Sequence, residues 1–192
     1  EMLRSLVGSE MCIRDRINCA EIVMFKGKSM GKNRIQYFDT PILNDFLKNV
    51  ELDSKLKEAV FENNFLLYYQ PQYYAGNRKL RGVEALIRWK DGNGRMISPA
   101  KFIPIAEKNG TIIPIGNWVL EQSIRTFSEW RNRYGVPFVL SVNISALQYQ
   151  KEDFVESLLN IIHKYDVDPD EIELEITESI LIDDFSAVTE KM

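Results

Sequence analysis

The residues from 82 to 89 read Gly82-Val83-Glu84-Ala85-Leu86-Ile87-Arg88-Trp89. Successive side chains of a β-strand point to opposite faces, so a strand here would place Glu84, Leu86 and Arg88 on one face. The other face is wholly apolar and is expected to pack under helices. The stretch therefore predicts a strand whose polar side carries a carboxylate and a guanidinium, with Cα atoms about 13 Å apart.

The segments around this strand alternate between β-prone and helical patterns. Phe65 to Tyr74 and Leu80 to Trp89 predict a hairpin closed by Gly76-Asn77. Ser98-Pro99 predicts a helix start, with the serine hydroxyl as cap, and Gly110 its end. The further predicted elements are helices over 115–134 and 151–165 and from about Asp183, and strands over 137–143 and 170–177.

Strands that alternate with helices predict βα units with parallel pairing, and hence the α/β fold class. About four strands are predicted. A (β/α)₈ barrel needs eight strands and typically about 250 residues. Four strands cannot close such a barrel, so the 192 residues of this chain are expected to form at most part of one.

The first 52 residues are predicted to lie outside these βα units. Leu6 to Asp15 match, without a mismatch, the translation of a transposase-based sequencing adapter, so residues 1–16 are interpreted as an artefact. The rest of this region is predicted to contain a helix over 18–30, a short strand over 33–39 and a linker over 40–52 opened by Pro41. A helix over Asp53 to Glu62 is expected to follow the linker.

The composition limits the classes of function. With 45% hydrophobic and 27% charged residues, the chain has enough apolar material for a core, which argues against disorder. A net charge of −4 gives no electrostatic footprint for a DNA or RNA duplex, so neither is expected as a partner. Two cysteines and the lack of a long apolar run favour a cytoplasmic location, in a parent protein that could itself be membrane-attached.

Three oxygen-bearing residues lie in or near the ends of predicted strands, namely Glu84, Asn143 and Glu175. Each has a simpler interpretation: an ion pair of Glu84 with Arg88, a turn-forming Asn143, and a solvated row of acids around Glu175. Because the carboxyl ends of barrel strands form one rim, the three could also meet. Together they indicate an all-oxygen site suited to Mg²⁺ or Mn²⁺, with zinc disfavoured.

Five motifs at these places resemble those of the EAL domain family. They are, in chain order, Tyr69-Gln70-Pro71, Glu84-Ala85-Leu86-Ile87-Arg88-Trp89, Pro99 to Glu107, Val142-Asn143-Ile144-Ser145 and Glu175-Ile176-Thr177-Glu178. On this resemblance, residues 53–192 are interpreted as the N-terminal part of an EAL domain, and their fold as an incomplete TIM-like (β/α) barrel. The resemblance implies a TIM-like barrel that hydrolyses cyclic di-GMP to linear pGpG with Mg²⁺ or Mn²⁺.

The resemblance also implies roles for single residues. The implied metal ligands are Glu84, Asn143 and Glu175, and the implied contacts of cyclic di-GMP are Gln70, Leu86 and Arg88, the last on a phosphate. A general-base Lys and a paired-Asp motif are expected beyond Met192. No catalytic residue is therefore expected within the chain, and the chain alone is expected to be inactive.

A second resemblance concerns residues 17–39, which are similar to the C-terminal tail of a GGDEF domain. Cys19 to Lys28 resembles ADxAMYxAK, with Glu21 in place of the usual Asp, and Gly31-Lys32-Asn33-Arg34 resembles the GRNR that follows. The cyclase signature loop is expected upstream of the chain. Synthesis of cyclic di-GMP by these residues is therefore not expected.

Two functions stay open for the parent protein. The first is a cyclic di-GMP phosphodiesterase, and the second is a degenerate EAL domain acting as a non-catalytic receptor or regulator. Loss of the downstream Asp pair or Lys would select the second. A homodimer through the EAL domain of the full-length parent is a further expectation.

Overall fold

The computed structural model describes residues 17–24, 27–28, 35, 37–62, 64–135 and 137–176. The chain divides into two compact units, Glu1–Ser54 and Lys55–Met192. Within the described ranges, no helix combines the length and the apolar composition of a membrane span.

The first unit is helical in most of its described residues. Residues 17–24 and 27–28 form a helix, as predicted for 18–30. Helix α1, Thr40–Glu62, starts in this unit. Pro41 lies in its first turn, where a missing N–H costs no hydrogen bond, and Asp39 Oδ1 accepts a 2.9 Å hydrogen bond from the amide of Ile42. The predicted helix start at Asp53 is therefore wrong, and the residues of the predicted linker, 40–52, are helical.

The remaining predictions for the two ends of the chain are wrong or fall outside the described residues. Ile35 and residues 37–39 form no strand, so this part of the strand predicted over 33–39 is wrong. The remaining residues of that strand lie outside the described residues. The same holds for the adapter-like residues 1–16 and for the helix predicted from about Asp183.

The second unit is built on a mixed β-sheet. Its strands are β1 (Phe65–Tyr73), β2 (Leu80–Lys90), β3 (Met96–Ile97), β4 (Val139–Ile144) and β5 (Ile172–Ile176). The order is β1-β2-β4-β5, with the two-residue β3 paired to β2. Strands β1 and β2 form the predicted antiparallel hairpin, and β2, β4 and β5 run parallel. The predicted βα units with parallel pairing are confirmed for the described residues, whereas β3 is too short to produce a sequence period.

The helices of the second unit follow the predicted order with small changes. They are α2 (Pro99–Asn109), α3 (Ile112–Tyr134), α4 (Ala146–Tyr149) and α5 (Phe154–Lys164), and a 3₁₀ turn, Pro169–Glu171, leads into β5. Gly110, at φ 80°, ends α2 in the left-handed conformation that glycine adopts without strain. Ser98 makes no side-chain capping bond, so the predicted hydroxyl cap is wrong. The one-turn helix α4 was not predicted.

One face of the sheet packs against the helices. Trp89 of β2 is 1% exposed and meets Phe102 of α2 edge to face, with ring centroids 5.6 Å apart. Tyr69 of β1 meets Trp130 of α3 in the same manner at 4.7 Å. The apolar side of the stretch 82–89 is thus covered as predicted. Its opposite side, named the polar face below, carries Glu84, Leu86 and Arg88.

A β-bulge interrupts the alternation of β2. Gln72 pairs with Gly82, but its neighbour Tyr73 pairs with Leu80, so Arg81 is an extra residue in the ladder. Bulges of this kind redirect a side chain. Arg81 accordingly contacts Gln72 and Glu173, through hydrogen bonds of 2.8 Å and 2.7 Å.

Candidate metal and ligand site on the polar face

The pairing register aligns polar residues across four strands. Gln70 of β1 pairs with Glu84 of β2, and Glu84 pairs with Ser141 of β4. Farther along, Asn143 of β4 pairs with Glu175 of β5. Because paired residues share a face, these side chains lie together on the polar face.

Two of the three predicted metal-binding residues are in direct contact. The side-chain amide of Asn143 donates a 2.7 Å hydrogen bond from Nδ2 to Oε1 of Glu84. Within the part of the chain that the structure describes, Glu84 forms no ion pair with Arg88. The simpler interpretation of Glu84 and Arg88 as a surface pair is therefore wrong, and Asn143 has a partner beyond its own turn.

Glu175 is the third predicted ligand, and it lies next to Asn143 in the register. Burial first, and then the negative charges of Glu84 and Glu173, raise the pKa of Glu175 above its usual value. The charge of Glu84 thus acts on Glu175 across the intervening strand β4. Glu84, Asn143 and Glu175 thus form one group on the polar face.

The neighbouring carboxylate, Glu173, is held in a different way. Arg81 Nη2 lies 2.7 Å from its Oε2, and the hydroxyl of Ser141 donates a 3.1 Å hydrogen bond to the same oxygen. The hydrogen bond from Arg81 is the main reason why the pKa of Glu173 lies below its usual value. Glu173 is therefore already neutralised by an arginine. Among the described residues, neither Glu84 nor Glu175 forms an ion pair with a basic side chain.

Sequence reasoning missed Arg81 and Ser141 as members of this site. A signal for Arg81 was present in Gly82, because a glycine inside a strand often marks a bulge or a close backbone approach. A Cβ at Gly82 would overlap the carbonyl oxygen of Val139 on β4. Ser141 has no comparable signal, since its partner depends on the register between β4 and β5.

The residues predicted to contact cyclic di-GMP lie on the same face. Gln70 is exposed, and Leu86 and Arg88 are half-buried. Arg88 Nη1 donates a 2.8 Å hydrogen bond to the carbonyl oxygen of Ile87. Its guanidinium carbon lies over the ring of Tyr68, 5.4 Å from the centroid. In the described parts of the chain, no carboxylate forms an ion pair with Arg88.

Metal sites can also be built from acidic, histidine or cysteine side chains alone, without an amide oxygen. Among the described residues, no group of three or more His, Cys, Asp and Glu side chains is arranged to hold a metal ion. The predicted set contains only two carboxylates and is completed by an amide oxygen, so the assignment of Glu84, Asn143 and Glu175 as ligands stays a prediction.

Comparison with known proteins places this geometry in a family. The EAL domain family matches residues 53–192. The bifunctional diguanylate cyclase/cyclic di-GMP phosphodiesterase MucR of Pseudomonas aeruginosa is 33% identical over 168 residues, which are 88% of this chain and 24% of MucR. The cyclic di-GMP phosphodiesterase PdeR of Escherichia coli is 31% identical over 168 residues, 87% of this chain and 25% of PdeR. The chain thus spans about a quarter of the length of these relatives.

Solved structures agree with the sequence comparison. The PaMucR phosphodiesterase, solved as a complex with c-di-GMP, is 35% identical and superimposes with a TM-score of 0.70, covering 73% of this chain and 57% of that chain. The predicted α/β fold class is confirmed by this match, and the partial coverage is consistent with an incomplete barrel. From its matching motifs, its parallel sheet and these comparisons, the chain belongs to the EAL domain family.

Proposed function

We propose that this EAL domain serves the metal-dependent hydrolysis of cyclic di-GMP to pGpG. The observation that carries the proposal is the contact between Asn143 and Glu84, next to Glu175, on one face of three parallel strands. The names of MucR and PdeR, and the c-di-GMP in the PaMucR complex, support the same activity and ligand. No observation favours the receptor alternative.

We propose Glu84, Asn143 and Glu175 as ligands of Mg²⁺ or Mn²⁺. Two carboxylates and one amide oxygen are the hard donors that these ions prefer. The amide of Asn143 can present its oxygen in place of its N–H by rotating about its last torsion, which makes the donor set compatible with a cation beside Glu84. When bound, such a metal would polarise the phosphodiester and lower the pKa of a coordinated water.

The remaining proposed contacts would bind and orient the dinucleotide. Arg88 has a planar fork of N–H donors that suits phosphate, and no carboxylate among the described residues competes for it. Gln70 offers an exposed amide opposite Glu84, and Leu86 offers an apolar contact between Glu84 and Arg88. The proposed ligand would thus span the polar face from the metal to the guanidinium.

Two measurements test the proposal. Calorimetry of this chain with cyclic di-GMP and Mg²⁺ or Mn²⁺ is expected to detect binding, and the full-length protein is expected to release pGpG, detected by chromatography. Glu84→Gln in the full-length protein should abolish metal-dependent release, whereas the control Glu156→Gln, on the exposed side of α5, should not. Full-length protein that binds cyclic di-GMP but never opens it would refute the enzyme and select the receptor.

Other features of the parent protein stay predictions. They are the GGDEF tail over 17–39, the homodimer, the cytoplasmic location and the general-base Lys beyond Met192.

A further inference from the structure

We infer that Tyr68 is a positioning residue that holds the guanidinium of Arg88 ready for a phosphate of the dinucleotide. The inference rests on the proposed function. Tyr68 pairs with Leu86 and is therefore the diagonal neighbour of Arg88 across the β1–β2 ladder, within reach of a long side chain. The guanidinium carbon lies 5.4 Å from the centroid of the tyrosine ring, inside the range of a cation–π interaction.

The way in which Arg88 is held differs from that of two other arginines in the described residues. Arg81 is bound by Glu173, and Arg131 by Glu171, each at 2.7 Å. A carboxylate neutralises an arginine and occupies the N–H fork that a phosphate would use. Arg88 instead has a backbone carbonyl and an aromatic ring as partners.

An aromatic ring restrains a guanidinium without cancelling its charge. The guanidinium carbon lies over the ring, and a guanidinium stacked on an aromatic ring keeps its in-plane N–H donors for a phosphate. Of five N–H donors, one is used by the carbonyl oxygen of Ile87. Tyr68 can therefore reduce the rotamer freedom that Arg88 would otherwise lose on binding, and still leave it able to bind an anion.

The exposure of Tyr68 makes the inference testable. Tyr68 is 52% exposed, so Tyr68→Leu should leave the fold intact. The matched control is Tyr73→Leu, at a similarly accessible tyrosine of the same strand, 59% exposed. Tyr68→Phe keeps the ring and serves as the conservative variant.

The affinity for cyclic di-GMP, measured by calorimetry on this protein, is the first readout. Tyr68→Leu is expected to raise the Kd by about two- to fivefold, the range of an exposed cation–π contact. Tyr68→Phe and Tyr73→Leu should leave the Kd unchanged. In an Arg88→Gln background, Tyr68→Leu should have no further effect, because the group that it positions is gone.

The second readout needs no ligand. In proton NMR spectra the side-chain protons of Arg88 should carry a ring-current shift that Tyr68→Leu removes and Tyr68→Phe preserves. Absence of that shift, or equal effects of Tyr68→Leu with and without Arg88, would overturn the inference alone. Absence of cyclic di-GMP binding by the unmodified protein would overturn the proposed function and this inference with it.

Discussion

The side-chain amide of Asn143 lies 2.7 Å from Oε1 of Glu84 and donates a hydrogen bond to it, although 59 positions separate the two residues in the chain. The contact exists because β2 and β4 are parallel neighbours in the sheet. Whatever fixes the register of these two strands therefore fixes the geometry of the proposed metal site.

Loss of one carboxylate should weaken metal binding. Glu84→Gln keeps the shape of the side chain and its ability to accept from Asn143, but it removes the charge. We expect the Kd for Mn²⁺, measured by electron paramagnetic resonance, to rise by at least about tenfold, since even residues that only support metal ligands contribute about 10- to 100-fold. An unchanged Kd would exclude Glu84 as a ligand, and Glu156→Gln provides the control for general charge effects.

The pair of Arg81 and Glu173 should make a small contribution to stability. Their side chains are 35% and 41% exposed, so solvent screens the interaction. Arg81→Gln should therefore lower the free energy of unfolding, measured in urea, by at most about 1 kcal/mol. It should also return the pKa of Glu173 toward its usual value, because the hydrogen bond from Arg81 is the main cause of the lowering. A pKa that stays low in Arg81→Gln would contradict this assignment.

A methyl group at Gly116 should disturb the one-turn helix α4, which follows β4. A Cβ at this position of α3 would overlap the side-chain amide of Gln148, which is 2% exposed. Gln148 Oε1 accepts a 3.1 Å hydrogen bond from the hydroxyl of Ser145 and so secures the residues just after Asn143. Gly116→Ala should lower the free energy of unfolding by about 1–3 kcal/mol, the usual effect of overpacking.

Two variants sharpen the test at Gly116. A methyl group added at Gly76 would have no other atom within 4 Å, so Gly76→Ala should change stability little. Gln148→Ala in the Gly116→Ala background should relieve the overlap and recover part of the loss. Equal unfolding curves for Gly116→Ala and the unmodified protein would show that the buried amide has room to move.

The ion pair between Glu121 and Lys164 should give a pH-dependent contribution. Hydrogen bonds from Lys164 and, to a lesser degree, Tyr165 lower the pKa of Glu121. A lowered folded-state pKa stabilises the fold above the unfolded-state value of about 4.3, and this stabilisation is lost as the pH falls through the folded-state pKa. Glu121→Gln should thus be less stable than the unmodified protein at neutral pH and equally stable in strong acid. The difference should also shrink in 1 M salt, a concentration at which the screening length is about 3 Å.

The sheet could be predicted because its strands have a clear period of two. The alternation over 82–89 assigns both faces correctly, and Trp89 is buried where the pattern places it. The grouping of Asn143 and Glu175 could be predicted because parallel strands bring their carboxyl ends to one edge. Glu84 lies in the middle of β2, not at its end as predicted, and it joins this group through the register of β2 with β4. Both predictions rest on general rules, which are the alternation of side chains within a strand and the common direction of parallel strands.

Two other features could not be predicted, because the residues next to them in the sequence are compatible with more than one structure. Pro41 is compatible with a linker and with the first turn of a helix. The hydrogen bond that the amide of Ile42 donates to Asp39 Oδ1 favours the helix. The pairing of Arg81 with Glu173 joins residues 92 positions apart. It requires both the bulge and the β4–β5 register, and neither follows from the residues next to Arg81.

The bulge at Arg81 also shifts, by one residue, the alternation of side chains between the two faces of β2. From Gly82 onward, the even-numbered residues of β2 share the side of Glu84, whereas Leu80 pairs with Tyr73 and so lies on the opposite side. If Arg81 were deleted, Leu80 would stay on the side opposite Glu84, and the pairing of β1 with β2 would become continuous. Glu173 would, however, lose the positive charge that neutralises it. Mutant libraries of this hairpin must therefore assign residues to the polar face and to the helix-covered face separately before and after Arg81.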